Sequence, residues 1–269
     1  MQLVDTHCHI QSIGANKGEA NTRLLWHKDK FLTLDKVLKR AFELNVTKLI
    51  CVGCQLEDSR LATEVAKEHP DIYASIGIHP HEAKIFNADK QQAEAFKALF
   101  KKAKVIAVGE CGLDYYYNHS AKQEQIKALE LQLELASQHN LPAIFHVREA
   151  FDDFWPILDN FKDIRGVLHS YTDNQENLDK ALKKGLYIGV NGIVTFAKEH
   201  QLAVYKQIPL SSLLLETDSP FLTPIPYRGT INEPSKVVVV AEFIAKLSGK
   251  SLEEIAEATT NNANNLFGI

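Results

Sequence analysis

The chain has 269 residues, of which 45% are hydrophobic and 24% are charged, so it is long enough to bury a sizeable core as one domain spanning 1–269. Its formal net charge of −4 argues against a broad basic surface that holds nucleic acid nonspecifically. No apolar run approaches the roughly 20 residues needed to cross a bilayer, and the start lacks the pattern of a signal peptide. We therefore expect a cytoplasmic monomer that has no membrane partner.

Short apolar runs alternate along the chain with segments of helical spacing. The apolar runs predict eight strands, at 3–9, 48–53, 73–79, 105–110, 143–146, 166–169, 187–191 and 213–218. The amphipathic segments predict helices at 34–44, 57–69, 88–103, 123–139, 149–161 and 174–184. Eight βα units in about 250 residues predict an α/β fold of the (β/α)8, TIM-type barrel class. The alternative is a doubly wound open sheet, which would have fewer strands and a ligand crevice at one switch point.

Two segments depart from this alternation. Residues 12–30 form a long irregular connection after the first strand, which is either functional or a plain surface excursion. The tail, 251–269, is predicted to form one or two short helices that close the barrel. We expect Thr260 to cap the last of them, and Leu266 and Phe267 to anchor it.

The cysteines do not have the pattern of a disulfide framework, because three of the four lie within or beside apolar strand-like runs. We therefore expect reduced thiols. Cys51 and Cys54 have C-x-x-C spacing, but the chain has no second pair. We interpret them as small buried residues at the end of a strand rather than as a zinc or redox site.

The segment Asp5-Thr6-His7-Cys8-His9 ends the first apolar run and is the most informative motif. Because side chains alternate along a strand, His7 and His9 point to the same side and can bind one metal ion together. Further potential ligands end other runs, where the strands of a parallel barrel deliver catalytic groups. These ligands are Glu110, His146, His169 and Asp218.

Four histidines and two carboxylates are too many ligands for one tetrahedral ion but suit two ions with open positions. We expect Glu110 to bridge the ions, because its two oxygens can each face one of them. Asp218 is expected to ligate one ion and to accept a proton from bound water. Glu216 shares strand parity with Asp218, so it is expected to orient a metal-bound histidine. These ligand types do not discriminate between Zn, Mn, Mg, Co and Ni.

Three further residues are candidates for substrate binding. Arg148 lies two residues beyond His146, so it is expected at the mouth of the barrel, where it binds a phosphate or pairs with Glu149. Tyr115 begins a run of three tyrosines and either stacks on a base or packs against a helix. Arg228, after the eighth strand, either contacts a nucleic-acid backbone or is a solvated loop charge.

The order of these motifs resembles the TatD family of metal-dependent deoxyribonucleases, within the amidohydrolase-like barrel superfamily. The resemblance covers nearly the whole chain and rests on six motifs: His7-x-His9, Gly77-Ile78-His79-Pro80-His81, the segment 109–114, the segment 146–150, His169-Ser170 and the segment 216–220. Residues 11–30 depart from the shorter, Asp-rich link that usually follows the first motif, which bears on the choice of substrate.

The resemblance implies two divalent ions and hydrolysis of DNA, often as a 3′ to 5′ exonuclease. The ions would be bound by residues that match the family's ligands: His7, His9, Glu110, His146, His169 and Asp218. The resemblance also places His79 and His81 at the active mouth, where they would bind the substrate phosphate or donate a proton to the leaving oxygen.

We therefore predict a two-metal phosphodiesterase whose partner is DNA, single-stranded or at its 3′ ends. The alternative is a barrel hydrolase of another bond, in an aminoacyl ester, a lactone or a cyclic amide. Relatives of that kind often bridge their metals with a carboxylated lysine, whereas this chain has Glu110 on the fourth strand. A third hypothesis is a noncatalytic, metal-dependent binding protein, although a structural zinc would need only four closed positions.

Overall fold

A computed structural model describes residues 1–117 and 119–269 of the chain. Eight parallel strands are hydrogen-bonded in sequence order: β1 (Leu3–Cys8), β2 (Val46–Val52), β3 (Ile72–Ile76), β4 (Val105–Asp114), β5 (Ala143–Arg148), β6 (Gly166–Leu168), β7 (Tyr187–Val190) and β8 (Leu213–Leu215). Helices connect them within the described ranges: α1 (Ala20–Trp26), α2 (Leu34–Glu43), α3 (Leu56–Glu68), α4 (Ala83–Ala88), α5 (Lys90–Leu99), α6 (Lys122–His139), α7 (Phe151–Asp159), α8 (Gln175–Lys183), α9 (Glu199–Tyr205), α10 (Val237–Ser248) and α11 (Leu252–Phe267).

Backbone hydrogen bonds between the ends of β1 and β8 close the sheet into a barrel. The N–H of Asp218 donates to the carbonyl of His7 at 2.8 Å, and the N–H of His9 donates to the carbonyl of Ser219 at 2.8 Å. The closure therefore lies just beyond Leu215, where β8 ends. The predicted (β/α)8 barrel is confirmed, and its closure brings the predicted ligands at the two ends of the sheet together.

Alternate residues of the strands pack on opposite sides of the barrel wall. In β2, Leu49 and Cys51 belong to the large core between strands and helices. Ile50 and Val52 belong to a smaller cluster that draws one or two residues from each of six strands. This smaller cluster fills the barrel interior, and Leu266 and Phe267 of α11 complete it, as predicted.

The tail forms a single helix, and the prediction of Thr260 as its cap is wrong. The hydroxyl of Ser251 accepts the N–H of Glu254, and the Glu254 carboxylate accepts the N–H of Ser251, so α11 begins there. Thr260 lies inside the helix and donates its hydroxyl to the carbonyl of Gln2 at 2.9 Å. The capping-box sequence, not the later threonine, sets the start of the helix.

Further helices also differ from the prediction. The helix expected over 88–103 is divided into α4 and α5, because Asp89 has extended backbone and its carboxylate accepts the N–H groups of Gln91 and Gln92. Residues 12–30 contain α1, the connection after β7 contains α9, and α10 follows β8; none of these three helices was predicted. All four cysteines are buried and free, as expected. Among the described residues, no helix is long and apolar enough to span a bilayer.

Candidate metal centre

The predicted ligands of β1 and β8 meet at the carboxyl end of the barrel. The Nε2 atom of His7 lies 3.7 Å from Oδ1 of Asp218, and the Nε2 atom of His9 lies 3.3 Å from the same oxygen. His9 is oriented by its other nitrogen, Nδ1, which lies 2.8 Å from the carbonyl of Val52. These three side chains form the first group of donors.

The ligands of β5 and β6 form a second group. The Nδ1 atom of His146 lies 2.9 Å from Oε1 of Glu110, and the Nε2 atom of His169 lies 2.8 Å from the same oxygen. The other carboxylate oxygen of Glu110, Oε2, faces His7 Nε2 at 3.5 Å. Glu110 therefore presents one oxygen to each group of donors.

A glycine lets β4 bring Glu110 to this position. A Cβ atom at Gly77, just beyond β3, would overlap the carbonyl carbon of Gly109 and the backbone nitrogen of Glu110. Any larger residue at 77 would push the strand aside. The spacing between β3 and β4 therefore depends on Gly77.

The donor set fits divalent cations. Both ring nitrogens of His7 are buried and have no hydrogen-bond partner within the described part of the chain. Leaving a buried imidazole without partners costs free energy, and a cation beside Nε2 would remove part of that cost. Within the described residues, donor atoms lie within 4.8 Å of one another in three overlapping sets: His7, His9 and Glu110; His79, Glu110 and His146; and His7, His169 and Glu216.

The protonation of the cluster also suits exchange of protons for cations. Burial by itself would raise the pKa of Glu110, but His169, His79 and His146 outweigh it and hold that pKa well below its ordinary value. Burial would lower the pKa of His9, but Asp218 opposes it and raises that pKa to about 9. Glu110 is therefore ionised, and His9 holds a proton that a bound cation would displace.

Asp114, which the sequence analysis did not single out, holds two of the histidines. Its Oδ2 atom lies 2.9 Å from His146 Nε2 and 3.0 Å from His81 Nε2. Its Oδ1 atom accepts the N–H groups of Tyr116 and Tyr117, each at 3.0 Å. The carboxylate fixes the tautomer of His146 so that Nδ1 is free for a metal. Asp114 lies four residues beyond Glu110 on β4, so strand parity could have identified it.

Glu216 lies behind His169, as predicted. Its Oε1 atom lies 3.4 Å from His169 Nδ1 and accepts the N–H of Ser170 at 2.6 Å and the side-chain amide of Asn191 at 3.2 Å. These contacts are those of a carboxylate that orients a histidine from the side opposite Glu110.

His79 and His81 lie at the mouth of the site, as the resemblance implied. The Nδ1 atom of His79 accepts the N–H of His81 at 3.2 Å, so the proton of the neutral ring is on Nε2, which lies 3.6 Å from Oε1 of Glu110. Burial lowers the pKa of His79 well below its ordinary value. The neutral ring can donate a hydrogen bond to a phosphate oxygen, but it is a poor source of a full proton.

A cleft of about 760 Å³ opens above these donors. Glu19 and Thr22 line it, so the unusual segment 12–30 forms one of its walls. Cys54 also lines the cleft, with its Sγ atom 3.6 Å from Oε2 of Glu110. The interpretation of Cys54 as merely a strand-end residue therefore missed its contact with the site.

The three candidates for substrate binding are placed differently. Arg148 lines the cleft, and no ion pair with Glu149 is found among the described residues. Tyr115 and Arg228 are absent from the described lining of the cleft. The hydroxyl of Tyr115 donates to Asp153 at 2.7 Å, and the guanidinium of Arg228 lies 4.1 Å from the centre of the Phe196 ring. These contacts hold both side chains away from the donors, whereas Tyr117 lines the cleft.

Comparison with known proteins agrees with the fold and identifies a family. The sequence matches the family described as "TatD related DNase" over residues 4–268. It is 38% identical to the "uncharacterized metal-dependent hydrolase YabD" of Bacillus subtilis, covering 99% of both chains. It is 36% identical to the "3'-5' ssDNA/RNA exonuclease TatD" of Citrobacter rodentium, covering 87% of this chain and 92% of that one.

Solved structures show the same architecture. The crystal structure of YjjV, a TatD homologue from Escherichia coli, superposes with a TM-score of 0.85 at 28% identity and covers 99% of this chain and 98% of that chain. The barrel, its ordered histidine and carboxylate motifs and the match over residues 4–268 lead to one conclusion. This chain belongs to the TatD family of metal-dependent hydrolases.

Proposed function

We propose that this protein is a phosphodiesterase that hydrolyses DNA with two divalent ions, and that it acts as a 3′ to 5′ exonuclease on single-stranded DNA or 3′ ends. The observation that supports the proposal most directly is the position of the Glu110 carboxylate. Its Oε1 atom faces His146 and His169, and its Oε2 atom faces His7. The name of the Citrobacter relative supports the substrate class.

The first group of donors, with Oε2 of Glu110, would hold one ion, and the second group, with Oε1, would hold the other. When bound, the two ions would lower the pKa of a coordinated water and offset the charge of the phosphate. Zn, Mn, Mg, Co and Ni are all consistent with imidazole and carboxylate ligands.

Side chains of the protein accept the proton of the water and bind the phosphate. Asp218 is the carboxylate at the first group of donors and accepts the proton of the attacking water. Arg148, at the rim of the cleft, binds a non-reacting phosphate oxygen. His79 donates a hydrogen bond from Nε2 to a phosphate oxygen, and His81, whose Nε2 is held by Asp114 at 3.0 Å, lies beside it. Arg228 and Tyr115 take no part in this proposal because their side chains are engaged elsewhere.

The test is metal analysis of the purified protein, followed by chelation and by separate addition of each of the five metals. Cleavage of single-stranded DNA labelled at the 5′ end or at the 3′ end should require metal, with two equivalents bound. The 5′-labelled strand should shorten progressively, whereas the 3′ label should be released at once as a mononucleotide. Cleavage of RNA strands of the same sequence would establish whether the enzyme requires deoxyribose.

Glu110→Gln keeps the shape of the side chain but removes its charge, so it should lower the metal content from two equivalents to one or none and abolish cleavage. Glu134→Gln, on the exposed face of α6, is the matched control and should retain both. Full activity of the Glu110 variant would contradict the proposal. Faster hydrolysis of a lactone, a cyclic amide or an aminoacyl ester than of DNA would favour the alternative reaction class.

A further inference from the structure

The lining of the cleft contains more carboxylates than lysine and arginine side chains in the described part of the chain. Arg148 is the only lysine or arginine among the described residues that line the cleft. Glu19 and Glu82, which follow β1 and β3, add carboxylates to the lining. Burial raises the pKa of Glu82, and the charge of nearby Glu19 raises it further. A long polyanion would be repelled by these carboxylates and would be attracted by one arginine of the described lining.

The Arg148 side chain packs against aromatic rings. The guanidinium carbon of Arg148 lies 3.9 Å from the centre of the Tyr116 ring and 4.8 Å from the centre of the Tyr117 ring. Both tyrosines are fixed in turn by Asp114, which accepts their backbone N–H groups and also holds His146. The position of Arg148 is therefore coupled, through one carboxylate, to a predicted metal ligand.

Tyr117 differs from its neighbours because it reaches the cleft while remaining half exposed. Its exposed fraction is 47%, and it lines the cleft together with His119. The rings of Tyr117 and His119 are nearly parallel, with centroids 6.0 Å apart and planes 20° apart. The ring centroids of His81 and Tyr117 lie 5.6 Å apart, and the two planes are 81° apart. An exposed aromatic ring offers a face on which a nucleobase can stack.

We propose that the cleft recognises one nucleotide beside the scissile bond, with its base stacked on Tyr117 and its phosphate on Arg148. This inference rests on the proposed function and deepens it by naming the substrate unit. The aromatic ring offers no hydrogen-bond pattern to a base edge, so the subsite accepts any of the bases. The single arginine and the carboxylates of the described lining restrict the substrate to chain ends and short oligonucleotides.

Binding to the metal-loaded protein tests the base contact without turnover. The probes are dAMP, dTMP and 2-deoxyribose 5-phosphate, which has the same phosphate and sugar but no base. Isothermal titration should show that the base increases affinity by about 5- to 100-fold in the wild type. Tyr117→Ala should reduce the affinity ratio between a nucleotide and 2-deoxyribose 5-phosphate to about twofold or less. Tyr117→Phe should keep that affinity ratio, because the ring and not the hydroxyl is required.

Tyr116→Ala is the matched control. It removes the ring nearest Arg148, so it should weaken binding of all three probes by the same factor and leave the effect of the base unchanged. Equal affinity of the wild type for dAMP and 2-deoxyribose 5-phosphate would overturn the inference, as would an unchanged ratio in Tyr117→Ala. Absence of metal-dependent cleavage by the wild type would instead overturn the proposed function, so the two failures are distinguishable.

The salt dependence of binding tests the restriction to short substrates. If Arg148 alone contributes counterion release, the logarithm of the association constant for single-stranded DNA should fall with the logarithm of salt concentration with a slope of about −0.7. The affinity should also change little when the oligonucleotide is lengthened from 4 to 16 nucleotides, lengths on the order of one single-strand binding site. A slope of about −3 or steeper would show an extended basic path and contradict the inference.

Discussion

Asp114 shows how one carboxylate sets the chemistry of two histidines. Its Oδ1 atom accepts backbone N–H groups, so Oδ2 is left to face His146 Nε2 and His81 Nε2. In Asp114→Asn the amide nitrogen would face the two ring nitrogens as a competing donor. We expect His146 to change tautomer and metal affinity at the second group of donors to fall by about 10- to 100-fold.

Metal titration of the chelated protein measures this effect directly. Asp153→Asn is the control, because Asp153 accepts the hydroxyl of Tyr115 at the same end of the barrel. Its side-chain polar contacts in the described part of the chain, with Tyr115 and Lys122, include none of the predicted ligands. Thermal unfolding of the metal-free variant separates loss of affinity from loss of fold. An unchanged affinity for both ions in a folded Asp114→Asn protein would show that His146 is not a ligand through Nδ1.

The tyrosines after β4 show where prediction from the sequence ends. His7 and Glu110 could be identified because each lies on a strand whose carboxyl end faces the site, and strand periodicity gives the direction of the side chain. Beyond Asp114 the strand ends, so alternation no longer decides which tyrosine reaches the cleft. The structure places Tyr117 there, whereas Tyr115 is held by Asp153.

At the scale of elements, α1 and the segment around it form a wall of the cleft that depends on Asp58 of α3. The carboxylate of Asp58 accepts the backbone N–H of Glu19 at 2.9 Å, and the Glu19 side chain caps α1. Trp26, at the end of α1, donates its indole N–H to the carbonyl of His9 at 3.0 Å. The sequence indicated a long connection but not this wall, because the contacts that order it come from residues distant in the chain.

Burial raises the pKa of Asp58 from 3.8 to about 6, so the folded protein binds a proton more tightly there than the unfolded chain does. Between about pH 4 and pH 6 the folded state alone is protonated at this site, and its stability falls as pH rises. Asp58→Asn keeps the shape and removes the titration. Relative to that variant, the wild type should lose up to about 3 kcal/mol of unfolding free energy between pH 4 and pH 7.

Urea unfolding at a series of pH values measures this difference. Asp35→Asn, an exposed carboxylate in the first turn of α2, is the control and should leave the pH profile of the wild type unchanged. Parallel profiles for the wild type and Asp58→Asn would show that Asp58 has the same pKa in the folded and unfolded states.

The helix α11 closes the amino end of the barrel interior with Leu266 and Phe267. Phe267→Ala would leave a cavity where side chains from six strands meet, so we expect a loss of about 3–5 kcal/mol of unfolding free energy. Glu257→Ala, on the exposed face of the same helix, should change stability by less than about 0.5 kcal/mol. Both values come from urea unfolding, and equal effects of the two substitutions would show that α11 does not plug the barrel.

At the scale of the whole molecule, the six predicted ligands link distant parts of the chain. They come from the ends of β1, β4, β5, β6 and β8, and the closure between His7 and Asp218 lies within the site itself. Unfolding would separate these residues completely. A cation that binds them therefore binds the folded barrel and not the unfolded chain, so binding and stability are linked.

Removal of metal should consequently destabilise the entire barrel rather than one loop. At a free metal concentration 1,000 times the dissociation constant, each site adds about 4 kcal/mol to the unfolding free energy. Chelated and reloaded protein should therefore differ by several kcal/mol in urea unfolding, and the difference should shrink as metal is diluted toward the dissociation constant. In His7→Ala, one group of donors loses a ligand, so the increase in unfolding free energy when metal is added back should be roughly halved. Identical unfolding curves with and without metal would show that the cluster binds no ion tightly, since its ligands cannot be assembled in the unfolded chain.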